Sequence, residues 1–373
     1  MNIITDLCEP TLLLDEVRCR NNIKQMVKKA QKCKVLFRPH FKTHQSHEIG
    51  RWFRQEGVNA ITVSSLKMAS FFAEDGWNDI TVAIPVNTRE KHRINDLAQK
   101  VNLHLLVADI SGTMSLAESV EHPINVWIKI DTGYRRTGVL YEDDVMLMSI
   151  INLIEKSRLL CFAGFLTHTG NSYYCRSTDE ILELHHTTMQ ILFHLKEKYK
   201  PQYPNIKISV GDTPTCSVAD DFSLVDEIRP GNFVFYDIMQ VQISACKPED
   251  IAVAVACPVV AKHKDRNEII IIGGGIHLSK DFIVNDHNQK NYGDLVFLES
   301  NGWSKPMEGC FLSKLSQEHG TLVVSDQVFD RIDTGDMVGI LPVHSCMTAN
   351  LIGKYTTLTG NAIDYFDIRK DYL

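Results

Sequence analysis

Between residues 34 and 236, short runs rich in β-branched residues alternate with longer segments of helical period, and each apolar run stops at polar or glycine residues. Strands are predicted at residues 34–37, 60–63, 79–84, 103–107, 124–130, 161–166 and 206–210, with a weaker one at 233–236. Helical patterns fill gaps at 44–56, 66–75, 89–100, 143–157 and 178–199; the last carries Ile181, Leu182, Leu184, Met189, Ile191 and Leu192 at its apolar positions. Eight such alternations within roughly 200–250 residues fit a (β/α)8 barrel better than an open sheet.

After about residue 240 the period changes. "IAVAVACPVVAK", "EIIII", "LVFLE", "TLVVS" and "DMVGIL" are strands without long helices between them. A chain of 373 residues also exceeds the ~250–300 at which one core usually stops growing. The expectation is therefore an α/β protein of two domains: a barrel over 10–240 and a β domain over 241–373, which residues 1–9 can join. The net charge of -7, without a basic run, argues against a nucleic-acid or anionic membrane partner and points to a small ligand. No apolar stretch reaches the roughly 18 residues of a membrane span. "MNIITDLCEPTLLLD" lacks the basic and apolar segments of a secretory signal, so a cytoplasmic location is expected. The 10 cysteines form no CxxC pair and are expected to be reduced.

In such a barrel, chemistry gathers at the C-terminal ends of the strands. There the sequence places "RPHFKTH" with His40 and Lys42, "DTGYRRTGV" with Asp131 and Arg136, and "THTGNSY" with His168 and Tyr173. "VGDTPT" follows with Gly211, Asp212 and Thr213, then "RPGNFVFYD" with Gly231, Asn232 and Tyr236. Each of the last two is ordinary turn chemistry by itself, but together they occupy the usual phosphate site after strands seven and eight. A lysine beside a strand is usually a solvated surface residue. Lys42 differs in sharing its mouth with the phosphate candidates, and a partly desolvated lysine can form a Schiff base with an aldehyde. Pyridoxal phosphate supplies both the aldehyde and the phosphate.

Two other motifs carry less. "IIIIGGGIHL" lacks the third glycine of a nucleotide turn, because Leu278 stands there, and reads as a bend in the β domain. His40, His44 and His47 follow Pro39 in an extended start that sends their rings in different directions. "PVHSCMTANL" is less easily set aside. On an extended chain His344 and Cys346 would point the same way, and two ligands leave a zinc ion open to substrate or water. Spacing alone favours the plainer alternative, a capping histidine and a buried cysteine.

Taken together, "RPHFKTH", "DTGYRRTGV", "THTGNSY", "VGDTPT", "EIRPGNFVFYD", "SQEHGTLVV" and "PVHSCMTANL" resemble, in order along nearly the whole chain, the fold-type III pyridoxal phosphate enzymes grouped as D-serine dehydratases and D-threonine aldolases. The resemblance implies an alanine racemase-like barrel and a homodimer. It makes Lys42 the cofactor lysine and catalytic base, sets Arg136 near the phenolate oxygen, and places His168 and Tyr173 against the ring or phosphate. Gly211, Asp212, Thr213, Gly231, Asn232 and Tyr236 would then ring the phosphate. Asp212 stands where a small hydroxyl residue is usual, so only its main-chain N–H is expected to serve. His344 and Cys346 become ligands of a divalent metal, with zinc expected, and H-x-C rather than H-x-D points to the dehydratase branch. The implied reaction turns a D-amino acid with a 3-hydroxyl, such as D-serine, into a 2-oxo acid and ammonia. Alternatives are a D-threonine aldolase, a D-threo-3-hydroxyaspartate dehydratase and a pyridoxal phosphate-binding protein without turnover. The β domain with its metal motif argues against the last.

Overall fold

The computed structural model describes residues 3–366, which divide into two compact units, Lys24–Gly231 and the segments before and after it. In Lys24–Gly231, eight parallel strands run in the spatial order 36–37, 227–228, 207–210, 160–166, 124–131, 102–107, 79–85 and 61–63. A parallel bridge between His40 and Thr62 joins the ends of this row, supported by Phe41 N–H to Thr62 O (2.8 Å) and Thr62 N–H to Pro39 O (2.9 Å). This is the (β/α)8 barrel. Most of its helices start on a short polar side chain, and Ser46, Ser65, Asp109, Asp143, Ser177 and Asp212 each accept a first-turn backbone N–H.

The eighth strand is Glu227–Ile228, not 233–236. Residues Asn232–Val234 form a 3-10 turn and Tyr236 has φ +50°, so that segment cannot extend. Three helices fall outside the sequence expectation: Glu16–Cys33, Ile110–Ser119 and the short Thr213–Val218. The helix expected from residue 44 begins at His47, because residues 41–44 are turn and Ser46 caps it.

A buried polar chain links strands at the barrel wall. Asp79 Oδ1 accepts from Arg38 Nη1 (2.5 Å), and Arg38 Nε donates to Glu227 Oε2 (2.9 Å). Glu227 Oε1 accepts from Ser209 Oγ (2.6 Å), which accepts from Arg229 Nε (2.5 Å), while Arg229 Nη2 donates to Thr167 O (2.5 Å).

In the other unit six strands close an antiparallel barrel in the order 268–272, 319–323, 311–315, 293–296, 337–342 and 253–263, the last returning to the first. Strand Thr11–Leu14 pairs antiparallel with 253–256 and parallel with 356–357, and Leu12, Leu13 and Leu14 are fully buried. The two compact units divide at 23/24 and 231/232. The N-terminal strand joins the β unit through its pairing with 253–256 and through Leu13, which packs in that core with Ala254, Ala256 and Leu341. No helix among the described residues is long and apolar enough to cross a membrane. All ten cysteines are free thiols.

Candidate active site

Lys42 lies exposed in the turn that follows the first barrel strand. The turn is fixed by its backbone: Lys42 N–H donates to His40 Nδ1 (3.3 Å), and Gln45 Nε2 donates to Lys42 O (3.1 Å). Burial holds His40 well below its ordinary pKa, and the nearby cations of Lys42 and Arg229 push the same way. Its ring is neutral, with Nδ1 as acceptor.

Across the mouth the opposite tautomer occurs. His168 Nδ1 lies 2.6 Å from the Gly211 carbonyl oxygen, which can only accept, so Nδ1 carries the proton and Nε2 the lone pair. Desolvation, reinforced by Arg136, Arg229 and Lys129, lowers this imidazole to about 3. Tyr134 meets His168 edge-on at 6.1 Å, Tyr173 lies 6.5 Å from it, and the Arg136 guanidinium sits 5.0 Å over the Tyr134 ring. Asp131 Oδ1 shapes this loop by accepting from Gly133 N–H (2.9 Å) and Arg135 N–H (3.0 Å).

Two further cations stand here: Lys129, which no motif marks, and Arg229, the first residue of "RPGNFVFYD". Lys129, buried on strand 124–131, is lowered to about 8 by desolvation and by Arg136 and Arg229. Arg229, also buried, is lowered to about 10 by desolvation against the pull of Glu227. The only signal for Lys129 is its place as one charged residue inside "INVWIKID", and Arg229 immediately precedes Pro230–Gly231. With Arg136 they make this end of the barrel electropositive.

The turn after strand 207–210 resolves the question of Asp212. Its carboxylate caps helix Thr213–Val218, accepting from Thr215 N–H (2.8 Å), Thr215 Oγ1 (2.6 Å) and Ser172 Oγ (2.9 Å). Burial raises its pKa against these donors. The acid thus faces its own helix, and Thr213 Oγ1 beside it is buried with no hydrogen-bond partner. Gly211 is required by packing, since a Cβ there would fall 2.7 Å from the Arg229 Cβ. Gly231 lies in the same unit, beside His40 and Thr43. Asp212→Ala is expected to lower stability by about 1–2 kcal/mol through loss of the cap; thermal unfolding checks this, and an unchanged midpoint would show that the cap contributes nothing.

Asn232 and Tyr236 belong to the β unit. The Asn232 side chain is bound within the β unit: its Nδ2 donates to Asp237 Oδ2 (2.7 Å), Ser345 Oγ (2.9 Å) and Cys346 Sγ (3.5 Å). Its buried Oδ1 has no hydrogen-bond partner. Tyr236 packs against the core around Leu13, Ile238 and Val343.

His344 and Cys346 do not lie on an extended chain. His344 is the residue before helix Ser345–Ile352, and Cys346 is in its first turn. Their side chains nevertheless converge, with a hydrogen bond between imidazole and thiol. Helix entry brings about what strand periodicity was expected to do. His344 Nδ1 lies 2.8 Å from Asp281 Oδ2, and Asp237 Oδ2 accepts from Ser345 N–H (3.0 Å). Desolvation opposes a charge on His344, but Asp281, Cys346 and Asp237 outweigh it and raise the imidazole to about 10. Asp281 has no sequence signal, because its relation to His344 depends on the fold; Asp237 closes the motif "RPGNFVFYD", but nothing in that motif relates it to His344. No group of three or more His, Cys, Asp or Glu side chains placed to share a metal occurs among the described residues.

Two family models match the chain: "Alanine racemase, N-terminal domain" over residues 14–238 and "Putative serine dehydratase domain" over 252–358. A D-serine dehydratase of Dictyostelium discoideum is 29% identical, covering 96% of this chain and 95% of that one. A D-threo-3-hydroxyaspartate dehydratase of Delftia sp. (strain HT23) is 28% identical over 94% of each. A solved structure of the Delftia enzyme matches with a TM-score of 0.88 at 27% identity, covering 97% of this chain and 98% of that one. Another, of a cysteine-to-alanine mutant in the metal-free form, gives 0.90.

Proposed function

Since the chain belongs to the family of the alanine racemase N-terminal domain, in its D-serine dehydratase branch, and is a lyase of that branch, we propose that it uses pyridoxal phosphate and a divalent metal to dehydrate a D-amino acid with a 3-hydroxyl group. The observation that carries this reading is the convergence of His344 and Cys346 in the unit that matches the dehydratase domain, with a carboxylate on the far nitrogen of the imidazole.

The residues present fit both groups. An unpartnered buried hydroxyl at Thr213, an inward-turned Asp212 and the cations Lys129, Arg136 and Arg229 suit a phosphate and a phenolate. Lys42 would hold the aldehyde carbon, with His168 and Tyr173 against the ring. Gly211, Asp212, Thr213 and Gly231 would offer main-chain N–H groups, with Asn232 and Tyr236 next in the chain. On the metal side, an imidazole nitrogen and a thiolate are a zinc donor pair, and two protein ligands leave positions for substrate. Bound, the cofactor supplies an electron sink at Cα and the metal a Lewis acid toward the β-hydroxyl.

The chain's own part is proton management and placement. Lys42, the residue that would hold the cofactor, would take the Cα proton at Nζ. His168, held neutral, keeps its Nε2 lone pair directed away from Gly211, and Arg136 adds fixed positive charge beside it. His344, donating from Nδ1 to Asp281, keeps Nε2 for the metal. Loss of water from the β-carbon and hydrolysis of the resulting enamine give a 2-oxo acid and ammonia. D-Serine is the proposed substrate, and its product is pyruvate. The similarity to a D-threo-3-hydroxyaspartate dehydratase makes that substrate the alternative, with oxaloacetate as product. A cytoplasmic homodimer with zinc completes the proposal.

Purified protein is expected to release pyruvate from D-serine, to lose that activity to EDTA and to regain it with zinc. Oxaloacetate from D-threo-3-hydroxyaspartate with no pyruvate would move the substrate, and glycine plus acetaldehyde from D-threonine would make it an aldolase. Turnover unaffected by EDTA would remove the metal.

A further inference from the structure

We propose that Asp281 is the positioning residue of the metal pair, and that the glycine turn at 273–281 exists to hold it. This rests on the reading that His344 and Cys346 bind a metal. A histidine can present either nitrogen, and which one is available depends on what the other bonds. The Asp281 carboxylate, 2.8 Å from His344 Nδ1, keeps the proton on that nitrogen and sets the plane of the ring, so that Nε2 is the ligand.

The turn is built to fix that carboxylate. Gly273 N–H donates to Glu318 O (2.9 Å) and Gly275 N–H to Ser316 O (2.8 Å), which pins the turn to the loop joining strands 311–315 and 319–323. The approach is so close at Gly274 that a Cβ would lie 2.2 Å from Gln317 O. Ser279 then adopts φ +66°, ψ −179°, a conformation that costs a non-glycine residue roughly 1–3 kcal/mol. Its Oγ accepts the Asp281 N–H at 3.1 Å. Thr348 Oγ1, on the helix that carries Cys346, reaches Leu278 O at 3.4 Å, so turn and helix are tied in a second place.

Stability does not account for this arrangement. The side chains of His344 and Asp281 are 33% and 43% exposed, and an ion pair so open to water contributes about 1 kcal/mol or less. That does not offset the strain at Ser279. A function that needs the imidazole in one orientation does account for it.

The test is zinc affinity of the full-length holoprotein, measured by competition with a chromophoric chelator. Asp281→Ala is expected to weaken zinc binding roughly 10- to 100-fold. Asp281→Asn, which keeps a carbonyl acceptor at the same place, should fall between wild type and Asp281→Ala. The metal-free Asp281→Ala protein should unfold at nearly the wild-type temperature. Zinc affinity within about threefold of wild type in Asp281→Ala overturns the proposal. So does a loss of affinity matched by an equal loss of metal-free stability, which would make Asp281 a structural residue. A wild-type protein that takes up no more zinc than His344→Ala overturns the metal reading itself.

Discussion

Lys42→Ala is expected to release pyruvate from D-serine at least ~10³-fold more slowly than wild type, since on the proposed mechanism it removes a positioned general base, which contributes about 10²–10⁴-fold, and the covalent hold on the cofactor as well. The fold should be untouched. The Lys42 side chain is exposed, and the turn around it is held by the backbone bonds to His40 and Gln45, which the substitution leaves in place. Circular dichroism and zinc content should therefore match wild type, while borohydride no longer fixes the cofactor to the chain. Lys42→Arg separates charge from proton transfer: it keeps the cation but cannot lose a proton near neutrality, and should be as inactive as alanine. More than about one tenth of wild-type activity in either variant would remove Lys42 from the mechanism.

The second large effect is on stability. Arg38→Ala should destabilise the barrel by about 3–5 kcal/mol, because it strands a buried carboxylate. Arg38 and Glu227 are each 2% exposed, and Arg38 is the guanidinium that joins Glu227 to Asp79. Glu227 in turn orients Ser209, and Ser209 orients Arg229, so the damage reaches the electropositive end of the barrel. Replacing both partners with apolar residues of similar size, Arg38→Met with Glu227→Leu, should recover most of the loss. Urea unfolding of the three proteins decides this. If the single variant is no less stable than the double, the pair is not coupled as its geometry implies.

Helical and strand periods are legible where side chains alternate regularly. Strand 124–131 is written in "INVWIKID", and the helix at 178–199 has the bounds its sequence predicts, although its buried face takes in His185 and Thr188 and leaves Leu182 exposed. Where an element is too short to show a period, the sequence misleads. Glu227–Ile228 is two residues flanked by charge, whereas "FVFY" has the composition of a strand but follows Pro230–Gly231 into a 3-10 turn. Motifs mark the mouth of the barrel and the His344–Cys346 pair. They do not mark the partners that set protonation and orientation. Asp281 lies 63 residues before His344, and only the fold brings the two together. The side chains of His344 and Cys346 converge as expected, but through a helix start in place of an extended segment.

The strand at Thr11–Leu14 has a consequence for synthesis. Its partners at 253–256 leave the ribosome about 240 residues later, and those at 356–357 later still. Three leucines destined for full burial must wait in water until then, while everything needed for Lys24–Gly231 has already emerged. The barrel can fold early, and the β unit must close over a very long loop. This makes the waiting strand the place where nascent chains are most exposed to chaperones and to aggregation.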